Sequence, residues 1–223
     1  MMIKPVRIAF IHTGAVVIAP VIERAGRALP DATFINYLDD RIVADLRDDA
    51  RAESVPLRVN DLVQAAKRAG AEYVVLTCSS ISELAAPLTA EAGIPVLRID
   101  EAMADKAVAS GQRITVLATL ATTCEPTVRL LRERAALTGA APTISSEVID
   151  GAFAAVASGD RATHDELVAS AVDRVAAHSD VVVLAQASMA SAAASARTAV
   201  PVLTSIEAGI ERLRSTVSEE GTS

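Results

Sequence analysis

Cys78, Ser79 and Ser80 stand between an apolar run, YVVLT (73–77), and a stretch with helical spacing. A thiol at the start of a helix has its thiolate stabilised by the helix end. It can then take up or deliver a proton at carbon, or attack an electrophile. The competing role is a small apolar residue in a core, the usual place of a cysteine outside a disulfide. His12 closes another apolar run, with Thr13 behind it; its imidazole could polarise a substrate, orient Cys78 or simply bond to backbone. Thr119, Thr122 and Thr123 follow a third run, and Gln186 and Ser188 a fourth. Hydroxyls and backbone amides at helix starts hold anions without a formal positive charge. The set suits a small carboxylate, although each hydroxyl could equally serve as a helix cap. Cys124, beside Glu125 and Pro126, is expected to pack, and His164 and His178, in RATHDEL and AAHSD, to lie at the surface. Asp39, Asp40 and Asp100 follow strands and read as caps, and the Arg/Asp-rich stretch 39–53 as a solvated face.

Composition excludes several other chemistries. The chain has 223 residues, 51% of them hydrophobic but only 2% aromatic, so its core must be aliphatic. No apolar run approaches the roughly 18–20 residues of a membrane helix, and the opening MMIKPVRIAFIHTG reads as a strand rather than a signal peptide. A net charge of −7 without any Lys/Arg cluster argues against nucleic acid and anionic membrane surfaces. Two cysteines and three histidines are too few for a disulfide scaffold or a Cys/His metal module, and a reducing cytoplasm is the expected compartment. No GxGxxG follows the first strand, and neither GxxxxGK[ST] nor GxSxG occurs.

The residues that could do chemistry hang on alternating strands and helices. RIAFIHT (7–13), TFINYL (33–38), YVVLT (73–77) and PVLRI (95–99) read as strands. Residues 16–29, 57–69 and 80–92 read as helices, the last two closed by Gly70 and Gly93. Continuous apolar strands separated by such helices indicate a parallel sheet covered on both faces, hence an α/β class. The order then repeats. RIAFIHTGAVVIAPVIERAGRAL matches RITVLATLATTCEPTVRLLRERAAL at an offset of about 106, pairing Thr13 with Thr119 and Pro20 with Pro126. YVVLTCSSI matches VVVLAQASM, pairing Cys78 with Gln186 and Ser80 with Ser188, and PVLRIDEA matches PVLTSIEA, pairing Glu101 with Glu207. The expected architecture is two pseudo-symmetric Rossmann-like lobes with parallel sheets. They span 1–105, joined by a C-terminal helix at 207–223, and 106–206. Parallel sheets bind ligands beyond the carboxyl ends of their strands. If the halves face each other about a pseudo-twofold axis, both hydroxyl sets converge on one cleft, which is the expected active site.

Taken together, the duplicated halves, TCSS after the third strand, the ATLATT turn and VVLAQASM resemble the aspartate/glutamate racemase superfamily. That group includes aspartate, glutamate and hydantoin racemases, maleate isomerase and arylmalonate decarboxylase. The resemblance runs from Arg7 to about Leu213. It implies a metal- and cofactor-free enzyme acting on a small carboxylic acid or amino-acid derivative by cysteine-mediated proton transfer, with homo-oligomers common in the group. Cys78 matches the first of the two catalytic cysteines of the racemases. The second position falls on Gln186, which has no titratable proton, and Ser188 is a weak substitute without a neighbouring base. The resemblance thus implies Cys78 as the catalytic residue. His12, Thr13, Ser79, Ser80, Thr119, Thr122, Thr123, Gln186 and Ser188 are then expected around the substrate. An isomerase or epimerase with one thiol is the first reading. A single-cysteine decarboxylase, mirrored because that enzyme carries its cysteine in the other half, and a non-catalytic carboxylate-binding protein are the alternatives.

Overall fold

The computed structural model describes residues 5–220. It divides into two compact units: the chain up to Ile99 together with the segment from Ile206 onward, and Asp100–Ser205. Among the described residues no helix is long and apolar enough to cross a membrane.

The first unit is built on β1 (Arg7–His12), α1 (Ile18–Ala28), β2 (Thr33–Leu38), α2 (Ile42–Asp45), α3 (Asp49–Ala52), α4 (Val55–Arg68), β3 (Tyr73–Leu76), α5 (Ala85–Ala92) and β4 (Val96–Arg98). Its strands form a parallel sheet in the order β2-β1-β3-β4. The inner strands β1 and β3 are buried almost throughout, as continuous apolar runs require, whereas the edge strand β2 keeps exposed positions. Ala9, Ile11, Val74 and Leu76 point to the face covered by Val55, Val59, Val63 and Ala66 of α4 and Leu88 and Ala92 of α5. The spacing of 55, 59, 63 and 66 is one stripe of a helix, and each of its three buried valines contributes about 1.5–3 kcal/mol by leaving water. Ile8, Phe10 and Val75 alternate to the opposite face and are equally buried.

The second unit repeats this plan with α6 (Glu101–Ser110), β5 (Arg113–Ala118), α7 (Ala121–Thr138), β6 (Thr143–Val148), α8 (Ala152–Ala157), α9 (Arg161–Ala176), β7 (Val181–Leu184), α10 (Ala190–Ala193) and β8 (Val202–Thr204). The sheet order is β6-β5-β7-β8, again all parallel. Register repeats too: Ile8 faces Tyr73 as Ile114 faces Val181, and Arg7 faces Thr33 as Arg113 faces Thr143. The amides of Glu72 and Asp180 bond to the carbonyls of Arg7 and Arg113, and their carboxylates accept from the Arg7 and Arg113 amides. The internal repeat of the sequence is therefore a repeat of backbone geometry. The helix α6 packs on β7, β8 and α7, so this unit begins at Asp100, ahead of the boundary expected at 106. The final helix, α11 (Ser205–Glu220), belongs with the first unit, where Glu207 pairs with Arg24 of α1 at 3.1 Å.

The Arg/Asp-rich stretch is less uniformly solvated than expected. Asp45 is buried, because Arg58 of α4 reaches back to it at 2.6 Å while also holding Asp39. That guanidinium, helped by Arg41 and Arg51, keeps the Asp45 carboxyl below the usual carboxylate range.

Candidate active site

In each sheet the strand order reverses direction between the first and third strands, β1/β3 and β5/β7. The helices leaving those two strands lie on opposite faces, so a crevice opens beyond their carboxyl ends. His12–Thr13 and Thr77–Ser80 occupy that position in the first unit; Thr119–Thr123 and Ala185–Ser188 occupy it in the second.

In the first unit the two strand ends are joined directly. The Thr77 amide donates to the Ile11 carbonyl at 3.0 Å. Cys78 follows, partly exposed, its side chain packed against the aliphatic cluster of this lobe. The segment after it turns sharply: the Cys78 carbonyl accepts from the Ile81 amide at 3.1 Å and from the Ser82 hydroxyl at 3.0 Å. A short 3-10 turn at Ser82–Leu84 then leads into α5, so the helix expected from residue 80 begins as a tighter turn. Thr13 and Ser79 are buried and Ser80 is half-buried.

His12 occupies a different place from the one expected of a substrate-binding group. Its side chain is fully enclosed, stacked on Phe10, with Nε2 2.9 Å from Asn36 Oδ1 and Nδ1 2.9 Å from Thr77 Oγ1. Burial pushes its pKa below the usual imidazole range, against an opposing contribution from Asn36. The ring is therefore neutral at pH 7. It hydrogen-bonds Asn36 through Nε2 and the Thr77 hydroxyl through Nδ1, and that hydroxyl in turn donates to the Ile11 carbonyl at 2.9 Å. Both nitrogens being used, His12 ties together the ends of β1, β2 and β3 and positions the residue before Cys78. Asn36 escapes a reading of the sequence because it stands in no motif, and Thr77, although it opens TCSS, carries no sign there of its bond to His12.

The second unit places a different pair at the equivalent point. The Thr119 amide and hydroxyl both donate to Gln186 Oε1, at 2.6 and 2.8 Å. Thr119 and Thr123 are buried and Thr122 is half-buried. All three hydroxyl residues lie at the end of β5 and in the first turn of the 18-residue α7, where backbone amides and the helix end favour an anion. Gln186 and Ser188 are half-buried. Ser188 is held by its carbonyl, which accepts from Arg161 of α9 at 2.7 Å.

Other sequence readings divide. Cys124 is buried on α7, as expected, and burial pushes its thiol pKa up; it shares a side depression with Arg129, Arg132 and Ser146. His178 is exposed, as expected. His164 is not: it is fully buried on α9, on one stripe with Val168, Ala171 and Val172. The polar residues around it in RATHDEL hide that period. Its Nδ1 lies 2.7 Å from Asp165, whose carboxylate also accepts from Ser191 at 3.0 Å. Among the described residues no group of three or more His, Cys, Asp or Glu side chains could hold a metal ion.

The profile of a sequence family described as Asp/Glu/hydantoin racemase matches residues 11–213. No curated protein is significantly similar in sequence. Solved structures with the same fold include a glutamate racemase isoform from Bacillus anthracis, with a TM-score of 0.78 at 19% identity, covering 98% of this chain and 84% of that one. An allantoin racemase from Pseudomonas fluorescens has a TM-score of 0.66 at 18% identity over 97% and 92% of the two chains. A variant of arylmalonate decarboxylase in its sulfate-associated form has a TM-score of 0.60 at 22% identity over 94% and 93%.

Proposed function

Because the chain belongs to the Asp/Glu/hydantoin racemase family, we propose that it is an isomerase that moves a proton at a carbon of a small carboxylic acid or amino-acid derivative, with Cys78 as its acid/base. The single observation that carries this reading is the position of Cys78: partly exposed, at the carboxyl end of an inner strand, at the point where the sheet order reverses. In the proposed step the Cys78 thiolate takes a proton from the carbon next to a carboxylate, becoming a thiol as the carbon's electron pair moves into an enediolate. Return of a proton to the opposite face, from water or another donor, completes the inversion, and the Cys78 thiol then releases the abstracted proton to solvent, which replaces the one the donor gave and restores the thiolate. Thr13, Ser79 and Ser80 in the first lobe, and Thr119, Thr122, Thr123, Gln186 and Ser188 in the second, are proposed to hold the substrate's charged oxygens through hydrogen bonds, which are stronger to ions than to neutral groups. His12 acts in this reading as a positioning residue. The reading calls on no cofactor.

Gln186 favours one second reading. With a carboxamide at the position paired by repeat with Cys78, the chain has one thiol for two faces. One-sided protonation of an enediolate after loss of carbon dioxide, a decarboxylase reaction, needs no more than that.

Deuterium wash-in in heavy water, run on amino acids and dicarboxylates with wild type and Cys78→Ala, tests both readings. Exchange at carbon that disappears in Cys78→Ala is the expected result, and carbon dioxide release selects the decarboxylase. Exchange undiminished in Cys78→Ala removes Cys78 from the mechanism.

A further inference from the structure

Gln186 is more than a missing thiol, because its carboxamide is held in one orientation. The Thr119 backbone N–H can only donate, and it meets the Gln186 side chain at 2.6 Å. The atom it meets must therefore be the oxygen, and the Thr119 hydroxyl, 2.8 Å away, donates to the same atom. With Oε1 taken by two donors, the planar amide turns its NH2 group to the other side. Among the described residues no acceptor takes those two hydrogens, and Gln186 is half-buried rather than enclosed. At position 186, paired by repeat with the thiol of the first lobe, the free side of the carboxamide thus presents donors only. A donor pair welcomes a carboxylate or carbonyl oxygen and repels an ammonium group, which brings donors of its own.

We infer that Gln186, clamped by Thr119, is the specificity-determining residue of the second lobe, and that it selects a substrate with an oxygen acceptor rather than an ammonium group at that place. The inference rests on the proposed carboxylate-binding role of this strand end and narrows it to a dicarboxylate, hydroxy-acid or oxo-acid class. Thr119 is the positioning residue, and its hydroxyl keeps the amide from flipping.

The test uses matched probes that differ only in the far group: malonate against 3-aminopropanoate, and succinate against 4-aminobutanoate, titrated calorimetrically into the full chain. Wild type is expected to bind the dicarboxylate of at least one pair about tenfold or more tightly than its amino partner, the range for a hydrogen bond to a charged group. Gln186→Met, similar in size but without donors, is expected to lose that preference. Gln186→Glu, an acceptor, should reverse it. Thr119→Val should weaken it while the backbone clamp remains. Thermal melts of each variant establish that it is folded, and Gln186→Met stands in where the charged variant is not. Equal binding within both pairs, absence of binding by all four probes, or a preference that survives in Gln186→Met overturns the inference. Its fate is separable from that of Cys78: Cys78→Ala should keep the preference while losing exchange. Cys78-dependent exchange on an amino acid without any dicarboxylate preference would sink this inference and leave the thiol reading standing.

Discussion

Gly209 lies inside α11, and a methyl group there would meet the end of β4. An added Cβ would sit 2.3 Å from the Ile99 carbonyl oxygen, 2.6 Å from Ile99 Cγ1 and 3.0 Å from the Ile99 carbonyl carbon. Ordinary contact begins near 3.4 Å, so α11 or the strand end must yield by about 1 Å. A packed interior resists such a shift, and overpacking costs about 1–3 kcal/mol. The upper end applies because a backbone carbonyl cannot rotate away. Alanine regains about 1 kcal/mol of helix propensity over glycine, leaving Gly209→Ala about 2 kcal/mol less stable. For a chain of this size that lowers Tm by about 4–8 °C. Gly26→Ala in α1 is the control, since nothing lies within 4 Å of the place its methyl group would take; there the propensity gain stands alone and Tm should rise by about 1–4 °C. Scanning calorimetry on the three proteins decides it. A Tm for Gly209→Ala at or above wild type would refute the packing argument, as would equal shifts in both variants. The consequence reaches the candidate site, because the Ile99 amide donates to the Leu76 carbonyl at 3.2 Å, two residues before Cys78. Any Cys78-dependent exchange is therefore expected to fall in Gly209→Ala well below its melting temperature.

Three further outcomes follow from the same contacts. Iodoacetamide should label Cys78, partly exposed, about tenfold faster than Cys124, whose thiol pKa is raised by burial, as peptide mass spectrometry would resolve. His12 has a folded pKa below its unfolded one, so between the two the unfolded chain binds more protons; its share of stability is complete above about pH 6.5 and is lost as pH falls through that window. A melting profile from pH 7.5 to 5 should therefore slope downward in wild type and less in His12→Asn; parallel profiles would show that the imidazole is not the source. Asp45 and Asp180 have lowered pKa values, held chiefly by Arg58 and Arg113, so their stabilisation is present above about pH 4 and fades below it. Arg58→Met should make this acid limb shallower, and an unchanged limb would mean that Asp45 draws its stabilisation from elsewhere.

How much of the molecule is legible in its sequence depends on whether a feature lives in spacing or in polarity. Continuous apolar strands and the helical stripes of α4 are periodic, and the match of Tyr73–Ser80 with Val181–Ser188 carries the second lobe along with the first. The family resemblance comes from the same repeated blocks, and it holds. The local assignments that fail do so where one residue contradicts its neighbours. His164 is buried among exposed charges because helical period, not local composition, decides which face it takes. Asp45 is buried in an Asp/Arg-rich stretch because Arg58, a helix away, supplies its counter-charge. His12 ends a strand, and of the roles that position suggests, its bonds to Asn36 and Thr77 suit positioning the residue beside Cys78; neither partner is visible from the His12 segment alone. Such partners come from adjacent strands, and no spacing in one segment announces them.

The two lobes share backbone register at their strand ends, yet their side chains there have opposite chemical character. Thr13 and Thr119 stand at the same point of the repeat, as do Cys78 and Gln186. In the second lobe threonine and its partner lock together through two hydrogen bonds to one oxygen; a cysteine has no oxygen to lock. A thiol can change its proton count during a reaction, whereas a clamped carboxamide cannot, so in the proposed function the two strand ends carry different tasks on a repeated scaffold. On the proposed function, restoring symmetry should change the reaction rather than only its rate. Gln186→Cys is expected to lose the dicarboxylate preference and to permit exchange at both faces of a chiral substrate, read as racemisation by chiral chromatography. Retention of a single stereochemical outcome in that variant would mean that position 186 does not face the reacting carbon.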